Sequence, residues 1–110
     1  MASERSESIY EKLSIAGNEW ADRKAAASVL ESAAKAALSE CFLVSRKEGA
    51  AQEEAKHNAT CNLIYQNALR DFIEAEKAKD HAKVKYDSIK AWMEMQMDAN
   101  ATRRAEMKLV

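Results

Sequence analysis

The sequence predicts an all-α protein, a long antiparallel two-helix hairpin of coiled-coil type, on three observations. Among 110 residues there is no Pro and only two Gly, so the chain almost lacks the residues that end helices and shape turns. Ala occurs 22 times, and with abundant Glu and Lys it makes a strongly helix-favouring composition. Apolar residues recur at alternating spacings of three and four through the first half, the pattern of a helix that packs along its length against another. One helical domain, residues 1–110, accounts for the length. Leu, Ile, Val and Phe together number only 18, so the core is thin. A formal charge of −1 excludes nucleic-acid binding driven by bulk positive charge, because counterion release needs a cationic surface.

Helix 1 is expected over about residues 8–46. Ile9, Leu13, Ala16, Trp20, Arg23, Ala27, Leu30, Ala34, Ala37, Cys41 and Val44 form one seam, in which only Arg23 is polar. Four of these positions are Ala, which lets a partner backbone come close. Ser8 with Glu11 three residues on fits a capping box. Glu19–Arg23 and Glu31–Lys35 have the spacing and direction of stabilising helix-surface pairs. Gly17-Asn18 is a weak spot, but the seam keeps its phase through it, which favours a continuous helix over a break.

The turn is placed at residues 45–49. The seam fails after Val44, where continuing the count lands on Glu48, Ala51, Ala55, Asn58 and Asn62. Arg46 and Lys47 suit a helix C-terminus and Gly49 suits the residue just past it. Ser45 and Glu48 also fit a capping box for a following helix. A single unbroken rod is the alternative, since one Gly costs only about 1 kcal/mol against Ala.

Helix 2 is expected over about residues 50–108, with an inner face of Cys61, Ile64 or Tyr65, Ala68, Phe72, Ala75, Ala78, Ala82, Tyr86, Ile89 and Met93. Glu76–Lys79, Asp80–Lys83 and Asp87–Lys90 decorate its outer face. Folding the chain at residues 48–49 pairs positions whose numbers total about 97, so Ser8 faces Ile89. Everything after about Lys90 then projects past helix 1 for roughly 27 Å. That end carries Trp92, Met93, Met95, Met97, Met107, Leu109 and Val110. Exposed apolar surface of this kind marks an interface, and Met suits an adaptable one. The simplest outcome is a homodimer or higher assembly forming a helical bundle. The competing expectation is a turn misplaced by a few residues, with this end folded onto Ile9, Tyr10 and Leu13.

No run of apolar residues approaches the roughly 20 needed to cross a bilayer, and the first 20 residues lack the apolar stretch of a secretory signal. No membrane partner and a cytoplasmic location are expected, with Cys41 and Cys61 as reduced thiols serving as small apolar side chains. No cofactor is expected: the chain has no phosphate-binding Gly-rich loop, nucleophile elbow, Cys-x-x-Cys or His-Glu-x-x-His.

One local pattern points to metal chemistry. Glu54-Ala55-Lys56-His57 is a Glu-x-x-His, the spacing that turns two ligands inward from a helix in di-iron carboxylate bundles, and the fold-back register sets Glu40 opposite His57. The run Gln52-Glu53-Glu54-Ala55-Lys56-His57 resembles the Glu-Glu-x-x-His helix of encapsulated ferritin-like proteins. That resemblance implies a di-iron site built in a dimer from Glu40, Glu54 and His57, an alternative to the non-enzymatic reading. His57 and Cys61, four apart, are further candidates for zinc together with Glu53 or Cys41. His81 lies on the charged face and is expected to be exposed.

Lys77, Lys79, Lys83, Lys85 and Lys90, interleaved with Tyr86, have the ingredients of a single-stranded nucleic-acid groove. Glu74, Glu76, Asp80 and Asp87 cancel most of that charge, which favours a salt-bridged solvent face instead. Arg103, Arg104 and Lys108 are less neutralised. Tyr86-Asp87-Ser88-Ile89-Lys90-Ala91-Trp92 and Thr102-Arg103-Arg104-Ala105-Glu106-Met107-Lys108-Leu109 resemble the ends of small all-helical bacteriophage accessory proteins. The resemblance implies a role in phage DNA metabolism or in blocking a host defence complex. The reading is a non-enzymatic, oligomeric binding or assembly protein whose contact surface is Trp92, Met93, Met95, Met97, Arg103, Arg104 and Met107, meeting a second copy or another protein.

Overall fold

The structure, a computed structural model, describes residues 8–109, which form three helices and no strand: α1 (Ile9–Lys47), α2 (Gln52–Cys61) and α3 (Leu63–Leu109). α1 and α3 pack against each other as a helical hairpin. Contacts group into two compact units. One comprises the described residues of Met1–Ala21 and Asp80–Val110, the other Asp22–Lys79.

α1 begins where the side chain of Ser8 accepts the Glu11 N–H at 3.1 Å and its carbonyl accepts the Lys12 N–H at 3.1 Å. Those bonds satisfy donors that a helix start leaves without partners. Helix then continues through Gly17 and Asn18 to Lys47. Gly17 has a packing role: a Cβ there would lie 3.3 Å from the Tyr86 ring. The seam is where the spacing put it. Ala16, Ala27, Ala34 and Cys41 are buried, and Ile9, Leu13, Trp20, Leu30 and Ala37 are half-buried. Arg23 is exposed, as its charge requires. Val44 is exposed too, and the adjacent Ser45 is buried in its place. Of the two helix-surface pairs expected on α1, Glu31–Lys35 forms at 3.1 Å, whereas Glu19 reaches across to Lys85 at 3.5 Å instead of to Arg23.

The end of α1 is a Schellman turn. Gly49 has φ +97°, its N–H donates to the Arg46 carbonyl at 3.0 Å, and the Ala50 N–H donates to the Ser45 carbonyl at 3.1 Å. The motif needs a left-handed residue after the helix, and Gly adopts it without Cβ repulsion. The turn therefore falls at 48–51, and the capping box expected from Ser45 and Glu48 does not form. Ser45 is still helical, and its hydroxyl accepts a 2.9 Å bond from Asn58 Nδ2. α2 starts from Ala51, with no side-chain cap.

A second correction concerns helix 2, which is not one piece. Asn62 is extended at φ −68°, ψ 133°. Its N–H donates to the Ala59 carbonyl at 3.3 Å, and its side-chain oxygen accepts the Ile64 N–H at 2.8 Å. One residue thus closes α2 and caps α3, the job for which Asn is favoured. The break resets the helical phase. α2 buries Ala55 and Ala59, and α3 turns Tyr65, Ala68, Phe72, Ala75, Ala78, Ala82, Tyr86, Ile89 and Met93 inward to varying depth. Cys61 and Ile64, both placed on the inner face from sequence, are exposed.

No large side chain is completely buried among the described residues; the core is Ala16, Ala27, Ala34, Cys41, Ala55, Ala59 and Ala82. The fully buried positions of the seam are all small residues and leave no room for larger ones. Ala27→Leu is expected to destabilise by about 1–3 kcal/mol through overpacking, while Ala26→Leu on the exposed side stays within about 0.5 kcal/mol. Thermal and urea melts compare the two, and equal effects would contradict the seam. Gly49→Ala is expected to cost about 1 kcal/mol through left-handed strain, read in the same melts.

Candidate functional site

The register decides which side chains meet. In the first unit, Tyr86 packs on Gly17 and Lys85 bonds Glu19, so paired numbers total 103 and 104. In the second, Ser45 and Asn58 again total 103. The expected total of about 97 is corrected upward by six or seven residues, and the shift is already complete at Ser45–Asn58, before the extended Asn62, so it arises at the turn. A slide of nearly one heptad leaves every inward face inward, which is why the seams survive the error.

This shift separates the proposed di-iron ligands. Glu40 now stands opposite residues 63–64, not opposite His57. Glu40, Glu54 and His57 are all exposed, and among the described residues no group of three or more His, Cys, Asp or Glu is placed to hold a metal ion. The sequence arrangement of Glu40, Glu54 and His57 is therefore not a site within the chain. Glu53 pairs with Lys56 at 3.6 Å, and Cys41 is buried, so neither completes a zinc set with His57 and Cys61. His57 Nε2 and Cys61 Sγ do meet, at 3.8 Å on the exposed side of α2. His81 is exposed as expected.

Two of the five lysines in the basic stretch of α3 form ion pairs. Lys79 bonds Glu76 at 2.9 Å and Lys85 bonds Glu19 at 3.5 Å; the expected pairs Asp80–Lys83 and Asp87–Lys90 do not form. Tyr86 lies against Trp20 with ring centroids 5.4 Å apart and planes tilted 32°. With Gly17 beneath it, that ring serves the interface between α1 and α3 rather than a base stack.

The end of α3 is the apolar surface named from sequence. With the register of this unit, Ser8 stands opposite about Met95, so α3 has facing residues in α1 as far as that point and not merely to Lys90. The remaining projection is about 20 Å long. Met93 is half-buried at its root. Trp92 is 52% exposed, Met95 67%, Met97 53% and Met107 70%, and Arg103 and Arg104 are exposed. The described residues of α1 leave this apolar end uncovered; Val110 lies outside the described residues.

Two features were not read from sequence. Leu38, Ser39, Phe42, Leu43, Lys56, Ala59 and Thr60 line an open apolar groove of about 620 Å³ between α1 and α2. It exists because α2 stops at Cys61, and the one signal for that stop was Asn62 as a capping residue. The second is the exposure of Cys61, which follows from the same break. Comparison with protein-family models, with characterised proteins and with solved structures returns no match.

The two cysteines differ in access, Cys41 buried and Cys61 exposed, both as free thiols. A thiol reagent is expected to modify one cysteine per folded chain rapidly and the second only on unfolding. Mass spectrometry of the labelled peptides checks the order. Equal rates would contradict the burial of Cys41 in the seam.

Proposed function

We propose that this chain is a non-enzymatic assembly protein that associates with a second copy of itself through the end of α3. The observation that carries the reading is the exposure of Trp92, Met95, Met97 and Met107 on a helix that outruns the described part of its partner. Trp and Met at the centre of a contact supply most of its energy. Met93 roots the surface, and Arg103 and Arg104 supply a charged rim.

Two such ends brought together antiparallel bury Trp92 and Met95 on one face of the helix against the exposed apolar side chains of the other copy. No helix among the described residues is long and apolar enough to cross a membrane. The reading places the chain in a reducing compartment such as the cytoplasm, supported by two free cysteines. A phage-encoded accessory role rests on the resemblance carried by Tyr86–Trp92 and Thr102–Leu109.

Light scattering is expected to give at least a dimer. Trp92→Glu is expected to weaken association by at least about 2 kcal/mol, roughly 30-fold in dissociation constant. Val29→Glu, at an apolar position on α1 more exposed than Trp92, is expected to leave the mass unchanged. A monomer in the native chain, or association indifferent to Trp92→Glu, would overturn the reading. Tight binding of a single-stranded oligonucleotide with a steep salt dependence would replace it with the nucleic-acid alternative.

A further inference from the structure

The structure assigns to His57 and Cys61 half of a zinc site that a second copy of the chain completes. The two side chains stand four residues apart on the exposed face of α2, with Cys61 Sγ 3.8 Å from His57 Nε2. Zinc bonds sulfur at about 2.3 Å and imidazole nitrogen at about 2.0–2.1 Å, so a tetrahedral ion sets those two atoms about 3.6 Å apart. The observed pair already spans that edge, and rotation of two exposed side chains closes the difference.

A thiolate and an imidazole are the donor types zinc favours, and four of them make a closed structural site. This chain presents two. Among the described residues no third His, Cys, Asp or Glu joins them, and Glu53, one turn earlier, is engaged with Lys56 at 3.6 Å. The other two ligands are assigned to a second copy of the chain. A two-fold-related copy supplies the identical pair and gives a set of two Cys and two His. Leu63 and Ile64, two and three residues beyond Cys61 and each 68% exposed, offer apolar surface for that copy to cover. Zinc(II) displaces the proton of each Cys61 thiol, so two protons leave per shared ion, and both imidazoles bind neutral through Nε2. This contact lies in α2 and is independent of the association proposed for the end of α3.

The test is a zinc titration of the full chain, kept reduced with a phosphine, read by chelator competition and light scattering. Half a zinc per chain is expected, with a zinc-dependent doubling of whatever mass the zinc-free protein has, reversed by chelator. Cys61→Ser and His57→Ala are each expected to weaken zinc binding at least about tenfold, while His81→Ala leaves it unchanged. Cobalt(II) in place of zinc is expected to show a thiolate charge-transfer band that Cys61→Ser abolishes. The doubling persists in Trp92→Glu, which separates failure of this site from failure of the α3 surface. One zinc per chain without a change in mass, binding unaffected by Cys61→Ser, or loss of the doubling in Trp92→Glu would each overturn the proposal.

Discussion

The constraint on which this fold depends is backbone proximity between helices, and alanine supplies it. Ala16, Ala27, Ala34 and Cys41 on α1, Ala55 and Ala59 on α2 and Ala82 on α3 are the most buried apolar positions. Each such residue removes little apolar area from water, so the gain comes from many close van der Waals contacts spread along the helices. Larger residues, Leu13, Trp20 and Leu30 within the α1 seam and Tyr65, Phe72 and Ile89 on the inner face of α3, sit at half-burial. Gly17 extends the same logic at one point, where an added Cβ would come within 3.3 Å of the Tyr86 ring.

Much of this was legible because a heptad seam is written one residue at a time. Nine of the eleven seam positions on α1 are buried or half-buried, the exceptions being Arg23 and Val44. The turn was legible because Gly49 is one of only two glycines and a left-handed cap requires one. The register was not. Helix pairing by an alanine stripe looks the same after a slide of seven residues, since each Ala meets another small residue or a flanking apolar one. What settles the slide is the turn, since Ser45 and Asn58 already hold the shifted register; the break at Asn62 escapes notice separately, because a single Asn is a weak signal for one.

That break also explains why the site fared worse than the fold. Treating residues 50–108 as one helix carried the inner face back through Cys61 and made it a core residue. The structure resets the phase at Asn62, exposes Cys61 beside His57, and moves Glu40 away from both. The apolar end of α3 was readable because its Trp and Met residues follow one another within a few positions. Only its starting point moved, from Lys90 to about Met95, by the same slide.

An interior made chiefly of methyl groups also governs how this protein answers to temperature. Heat capacity on unfolding tracks the apolar surface that water newly covers, and here the innermost residues are alanines. A small heat-capacity change flattens the stability curve, so cooling is expected to cost this chain little of its stability.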